Sequence, residues 1–178
     1  MKKEIPIDQF LVKASDVWDT GWFLLTCGDF QKKHYNSMTV SWGGFGTMWN
    51  LPIAMVVVRP TRYTFEFINQ YDSFSLCAFS QEYRKALSLL GSRSGRDGDK
   101  IGASGLTPCA AARIASPVFE QAELRIECRK LYWQDFDPRH FLDDRIQENY
   151  ASSDYHRMFY GEIVSVAGEV EKYATKIN

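Results

Sequence analysis

The stretch that decides the fold runs from Asn36 to Ile68 and reads NSMTVSWGGFGTMWNLPIAMVVVRPTRYTFEFI. It passes from small polar residues, through a glycine cluster, into an apolar run that ends at Arg59-Pro60. Hydroxyl side chains and a second arginine follow at once. Apolar strands are usually bounded by simple turn residues. Hydroxyls, glycines and arginines at both ends of one strand therefore indicate a role besides packing.

Other segments around this stretch are rich in the β-branched and aromatic residues that strands prefer. We predict strands over 22–29, 36–46, 51–58, 73–80, 122–133 and 158–170. The alternation within 122–133 slips near Leu131, which predicts a bulge or a bend. Short helices are expected after Thr61, Ser80 and Asp137, and 91–105 resembles one long polar loop. Many strands with few helices predict a barrel-like β fold with small helices outside it.

Length and composition limit the classes of protein that are possible. The 178 residues predict a single domain over 1–178, with room for a substantial core. The net charge of -1 provides no general basic field, so a nucleic-acid partner is not expected. No secretory signal is apparent, and the apolar runs are too short to cross a membrane. Four scattered cysteines without a CxxC motif predict reduced thiols and a cytoplasmic location.

Several common catalytic and ligand motifs are missing from the sequence. The glycines of GGFG do not have the GxGxxG spacing of a dinucleotide site, and no P-loop is present. His34, His140 and His156 share no metal-binding spacing, so no metal site is predicted. No nucleophile elbow is visible. Acid-base hydrolysis is therefore not indicated, and no residue is assigned a catalytic role.

The polar residues at the two ends of the apolar strand have the chemistry of an anion site. Thr39 and Ser41 are two residues apart on one strand and therefore share a face. If 36–46 and 51–58 form a hairpin, Arg59 lies beside the beginning of 36–46, where hydroxyls and helix-end amides also gather. Such groups bind phosphate. In the alternative interpretation, the hydroxyls only line a solvent-facing surface and the arginines are ordinary surface charges.

Three segments, in this order and spacing, resemble a known family. NSMTVSWGGFG, RPTRYT and SGRDGDK look like the flavin reductase-like, or flavoredoxin-like, family of FMN-binding split barrels. The similarity runs from about Trp22 through Gly168. The resemblance implies a mainly β fold, a six-stranded antiparallel split barrel with small peripheral helices. It also implies a homodimer with FMN near the subunit interface.

The resemblance also implies which residues bind the cofactor. Asn36 to Thr39 would run along the isoalloxazine ring, and the SGRDGDK loop would cover the flavin or the partner's site. Tyr63 stands where the wider superfamily commonly has histidine, so its role is open. The implied cofactor-binding residues are Asn36, Ser37, Met38, Thr39, Ser41, Trp42, Arg59, Thr61, Tyr63, Thr64, Ser94, Gly95, Arg96 and Lys100.

Flavin chemistry accounts for the missing catalytic constellation, because hydride transfer from NAD(P)H to flavin needs no protein acid or base. The resemblance thus implies an NAD(P)H-dependent flavin oxidoreductase. Two alternatives remain: an electron-transfer flavoprotein that serves a redox partner protein, and a flavin-free β-barrel binding module. Turnover with NADH separates the reductase from the carrier, and bound flavin separates both from the module.

Overall fold

The computed structural model describes residues 2–175 as a curled antiparallel sheet with short helices around it. The strands are β1 (Lys3–Glu4), β2 (Phe23–Asp29), β3 (His34–Val40), β4 (Gly43–Met48), β5 (Leu51–Val58), β6 (Ser73–Ala78), β7 (Pro108–Cys109), β8 (Val118–Phe119), β9 (Leu124–Asp135) and β10 (Arg157–Gly168). The α-helices are α1 (Tyr63–Gln70), α2 (Arg84–Ser92), α3 (Lys100–Ser104) and α4 (Val170–Tyr173). A π-helical turn covers Asp16–Gly21, and 3-10 turns cover Ile7–Gln9, Gln81–Tyr83, Pro138–His140 and Asp144–Asn149.

The main sheet has the strand order β3-β2-β6-β9-β10-β5-β4, with β1 paired to β10. β3 and β4 are the two ends of this path, yet only Ser41 and Trp42 separate them in sequence. The sheet must therefore curl until its ends approach each other, which makes an open, split barrel. The predicted fold class is confirmed. The strand count differs, because this sheet has eight strands, including the two-residue β1, rather than six.

The predicted single strand 36–46 is wrong, because the segment is divided between β3 and β4, and only the β4 part forms a hairpin with 51–58. β3 pairs with β2, whereas β4 pairs with β5 in the register Gly43↔Val56. The chain changes from one end of the sheet to the other at Ser41. The hairpin that does form, β4–β5, turns at Trp49 and Asn50, whose φ angles of 54° and 59° lie in the left-handed region.

The predicted irregularity near Leu131 is confirmed. Tyr132 pairs with Tyr160, and Lys130 pairs with Gly161, so Leu131 is left as an extra residue in β9. The register between β9 and β10 shifts at this point. A bulge of this kind bends the strand and increases its twist, which helps an eight-stranded sheet to curl.

Two expectations about helices need correction. α1 begins at Tyr63 rather than after a Thr61 cap, because its N-cap residue is Arg62 and no side chain caps it. The 91–105 segment is not one loop, because Asp99 accepts a hydrogen bond from the Gly102 amide and begins α3. The expected cap at Asp137 is confirmed by a 3.0 Å bond from the Arg139 amide to its carboxylate.

The apolar core lies on both faces of the sheet, because side chains alternate along each strand. The concave face buries a large cluster that includes Leu25, Leu76 and Phe159. The outer face packs α2 and α3 against a second cluster that includes Leu24 and Leu87. The adjacent residues Leu24 and Leu25 thus belong to different clusters. Because the sheet is packed on both faces, β3 is held against α2. This packing also positions Ser41 and Trp42, which follow β3 in sequence.

The four cysteines carry free thiols. Cys27, Cys77 and Cys128 are fully buried, and burial raises the pKa of Cys77 to about 12. Such thiols stay protonated and chemically inert. None of the helices between residues 2 and 175 is long and apolar enough to cross a bilayer.

Candidate functional site

The ends of the curled sheet meet at a cleft of about 200 Å³, where β3 passes into β4. The cleft is lined by Met38, Thr39, Val40, Ser41, Trp42, Val57, Arg59 and His156. A smaller recess of about 80 Å³ lies beside it and shares Met38 as a wall. The recess is lined by Met38, Thr61, Arg62, Tyr63, Thr64, Ser92, Arg93, Ser94 and Lys100. The two polar ends of the deciding stretch therefore do converge in space.

β3 is tied directly to the start of α1 beside the recess. The buried Asn36 amide donates a 2.7 Å hydrogen bond to the Thr64 hydroxyl, which is also buried. Met38, 7% exposed, forms part of both the cleft and the recess. This bond fixes the first turn of α1 against the strand, so the uncapped amides of that turn are held at the recess.

The other hydroxyls of β3 differ in their availability. Ser37 is fully buried and bonds to Thr26 at 2.8 Å, so its hydroxyl is engaged away from the cleft. Thr39 lines the cleft, but its hydroxyl donates to the Leu87 carbonyl of α2 at 2.5 Å. Ser41, the first residue after β3, lines the cleft and has no side-chain hydrogen bond to any residue between 2 and 175. Its hydroxyl is therefore the one best placed to bind a ligand.

Arg59 stands in the cleft with its charge already paired. Its guanidinium donates to the Asp154 carboxylate and to the Asn149 carbonyl, each at 2.7 Å. It also lies over the Tyr150 ring, 5.0 Å from the centroid. The Arg59 bond lowers the pKa of Asp154, which keeps that carboxylate ionised. Arg59 is therefore a fixed and partly neutralised member of the site rather than a free cation.

Another part of the cleft wall is aromatic. Trp42 is 44% exposed, and its ring lies 5.2 Å from the buried His156 ring. His156 Nδ1 is 2.8 Å from the Tyr150 hydroxyl. Burial, and then the nearby Arg59, lower the pKa of His156 to about 4. His156 is therefore neutral at physiological pH, and its Nε2 is the ring nitrogen that a ligand can use.

The recess has an unbalanced positive charge. Its lining within residues 2–175 contains Arg62, Arg93 and Lys100 and no carboxylate. Arg62 donates to the Gly91 carbonyl, and burial together with Arg59 lowers the pKa of its guanidinium. Cations that only contact neutral carbonyls repel one another. The recess is thus a ready site for an anion.

Lys100 is the most deeply buried of these cations, at 5% exposure. Its ammonium donates to the carbonyls of Leu90 at 2.9 Å and Arg93 at 3.0 Å, where α2 ends. Burial, and then Arg62, lower the pKa of Lys100 to about 8. A bound anion would restore this pKa, because it would favour the charged form.

Gly95 of the SGRDGDK loop lies against both β3 and the start of α1. A Cβ atom at Gly95 would lie 2.3 Å from Asn36 Oδ1 and 2.9 Å from a Tyr63 ring carbon, so only glycine fits this approach. Arg96 lies outside the recess lining. Its guanidinium bonds to Glu66 at 2.5 Å and lies 4.8 Å from the Tyr63 ring centroid. Arg96 therefore secures the loop from its outer side.

The structure places ten of the fourteen predicted residues in the lining of the cleft or the recess. Asn36 and Gly95 lie beside the recess, against Thr64 and Tyr63, and the side chains of Ser37 and Arg96 are engaged elsewhere. Ser37 turns its side chain away, and Arg96 is engaged by Glu66. Sequence reasoning missed Arg93 and gave no site role to Arg62 or His156, although all three line the site. His156 gives no local signal, because its contacts with Trp42 and Arg59 join distant parts of the chain.

Residues 18–175 match the model of the flavin reductase like domain. No curated protein matches the chain in sequence. Solved structures with a similar fold include the flavoredoxin of Desulfovibrio vulgaris (Miyazaki F), with a TM-score of 0.66 and 22% identity over 90% of this chain and 73% of that one. An FMN-binding domain of a flavin reductases-like enzyme from Shewanella baltica OS155 has a TM-score of 0.68 and 17% identity over 96% and 78%.

The buried Lys100 predicts how stability depends on pH. Its pKa is lower in the folded chain, about 8, than the usual 10.5, so the unfolded chain binds more protons between these values. The free energy of unfolding should therefore rise, relative to Lys100→Met, by on the order of 1–3 kcal/mol between about pH 8 and 10.5. Urea titrations of both proteins across this range measure the difference. Replacing chloride with phosphate should move the rise to higher pH, and parallel curves would contradict the assignment.

Proposed function

The chain belongs to the flavin reductase-like domain family, and we propose that it is an FMN-binding oxidoreductase that passes hydride from NAD(P)H to flavin. The membership supports a flavin-related redox function in general. The choice of FMN, of a nicotinamide donor and of the binding residues is our proposal. We also propose that residues 1–178 form a single domain. We propose a cytoplasmic location as well, because free thiols such as Cys77 persist in that compartment.

The observation that carries the proposal is the charge of the recess. Arg62, Arg93 and Lys100 meet there without a carboxylate among the described residues, and Thr61 and Thr64 add hydroxyls. The uncapped first turn of α1 contributes amides that favour an anion. A phosphate monoester fits this donor set, because it offers several strong acceptor oxygens and two negative charges at neutral pH.

The remainder of the site fits a flat ring system joined to that phosphate. Met38 connects the recess with the cleft, so a ligand anchored in the recess extends past Met38 along β3. Asn36 and Gly95 hold the loop against the strand and limit the entry of water. Ser41 supplies a free hydroxyl, while Trp42 and neutral His156 form a wall of aromatic rings. In this assignment Arg59 positions the wall through Asp154.

When bound, FMN would supply the redox chemistry, with NAD(P)H as electron donor. The protein's own residues bind, orient and shield the reacting groups. No side chain is required to take a proton, and neutral His156, with a pKa of about 4, adds no charge near the ring system. This division of roles agrees with the absence of a catalytic motif from the sequence.

The phosphate assignment predicts unequal losses for two flavins. Arg62→Gln should weaken FMN binding by about ten-fold or more, because a charge-assisted hydrogen bond contributes roughly 1.5–3 kcal/mol. Riboflavin has no phosphate, so its affinity should change little. Quenching of flavin fluorescence measures both affinities with the same protein sample.

A matched arginine variant controls for general charge effects. Arg129→Gln removes an exposed cation that pairs with Glu162 and lines neither the recess nor the cleft, so it should leave the ratio of FMN to riboflavin affinities near the original value. If Arg62→Gln lowers the affinities for FMN and riboflavin equally, the variant damages packing rather than a phosphate contact. A ratio changed equally by both variants would also contradict the assignment.

We also propose that the protein is a homodimer that uses an exposed aromatic patch formed by Trp49, Tyr132 and Tyr160. The three ring centroids lie 6.0–6.1 Å apart on the outer surface of the β4, β9 and β10 region. Trp49 is 54% exposed and has a positive φ, which is unfavourable for a bulky residue. Such strain at an exposed aromatic, next to further exposed rings, fits an interface anchor.

A change at this turn predicts a loss of dimer without a loss of fold. Asparagine is favoured where two turn residues both have positive φ, so Trp49→Asn should keep or raise the melting temperature. The dissociation constant of the dimer should rise at least about ten-fold. Light scattering over a range of concentrations measures the mass. Trp49→Phe retains a ring and should stay dimeric, whereas a Trp49→Asn dimer as tight as the original would refute the interface.

A further inference from the structure

A second cavity, of about 330 Å³, lies between the π-helical turn Asp16–Gly21, the end of β6 and α4. We call it the Trp22 cavity. Its apolar walls come from Val12, Val17, Trp22, Ala78, Phe79 and Tyr173. None of its lining residues belongs to the cleft or to the recess. Its volume is in the range of pockets that hold small molecules.

The backbone at this cavity is held in an unusual conformation. Trp22 has a φ of 66°, which is a genuine outlier for a bulky side chain. It directly follows the π-helical turn, a feature that is rare and often found at functional sites. Arg84 holds both the Trp22 ring and the π-helical turn in place. Its guanidinium lies 3.0 Å from the Trp22 ring centroid and donates to the Thr20 carbonyl at 2.6 Å. The strained conformation turns the indole ring into a wall of the cavity.

The charged side chains that line the cavity are Lys13, Asp16 and Lys172. Lys13 and Asp16 are exposed and carry opposite charges, and Lys172 is paired with Glu123 at 2.5 Å. Arg84 is not part of the lining, and its guanidinium is engaged by the Trp22 ring and by the Thr20 and Gly21 carbonyls. Neither sign of charge therefore predominates among the groups that face the cavity. This differs sharply from the recess, where positive charge is unbalanced.

We propose that the Trp22 cavity is a second binding site, for a small, uncharged, ring-bearing molecule. The aromatic walls, above all Trp22 and Phe79, suit a flat apolar ring. An ionised group on such a ring would lose hydration inside these walls without gaining a partner. The site is separate from the flavin assignment and does not depend on it.

The test uses a fluorinated indole as a neutral probe and the matching fluorinated indole carboxylate as a charged one. Fluorine NMR line broadening during titration of the full chain measures both affinities. We expect saturable binding of the neutral probe, at least about ten-fold tighter than that of the carboxylate. FMN should not displace it, because the two sites share no residue.

Two variants fill the cavity from its walls. Val17→Trp and Val12→Trp should each weaken binding of the neutral probe at least about ten-fold, and thermal unfolding identifies which of them keeps the native fold. Lys13→Gln with Asp16→Asn removes both rim charges and should leave that binding unchanged. The proposal is overturned if the probe does not saturate, if the carboxylate binds equally well, if FMN competes, or if a folded filling variant binds as before.

Discussion

The structure depends on one constraint: two residues, Ser41 and Trp42, join the opposite ends of the main sheet. Because a two-residue connection is short, the sheet has to curl until β3 and β4 are neighbours in sequence and space. The curl leaves a gap where the edges approach without pairing. That gap is the cleft, and Thr39, Ser41 and Arg59 face it because the chain crosses there.

The cleft and the recess beside it differ in their charges. Arg59 is paired with Asp154, which leaves it little capacity to attract a ligand from solution. Arg62 and Lys100, in contrast, only meet carbonyl groups, and burial lowers the pKa of both. Burying cations costs free energy unless an anion compensates them. Such cations beside the free amides of a helix support the proposal that the recess binds a phosphate group.

Local features of the fold could be predicted from the sequence, whereas long-range contacts could not. The slip of alternation at Leu131 and the cap at Asp137 depend on a few adjacent residues, and both are confirmed. The break between β3 and β4 was missed because the alternation of 36–46 continues through Ser41, and the nearest turn signal, Gly43-Gly44, lies inside β4 rather than at the break. His156 was missed for a different reason, since it reaches the cleft only through the curl of the sheet, opposite Trp42.

In the function proposed for this protein, the cleft and the recess together hold FMN in a reducible state. The most direct measurement is the visible absorption spectrum of the protein after FMN addition and desalting, followed by anaerobic NADH or NADPH. The account predicts flavin bands that survive desalting and are bleached by one of the two nucleotides. Retained bands that neither nucleotide bleaches would contradict the reductase assignment and favour an electron carrier. A colourless protein after loading would contradict the flavin site itself.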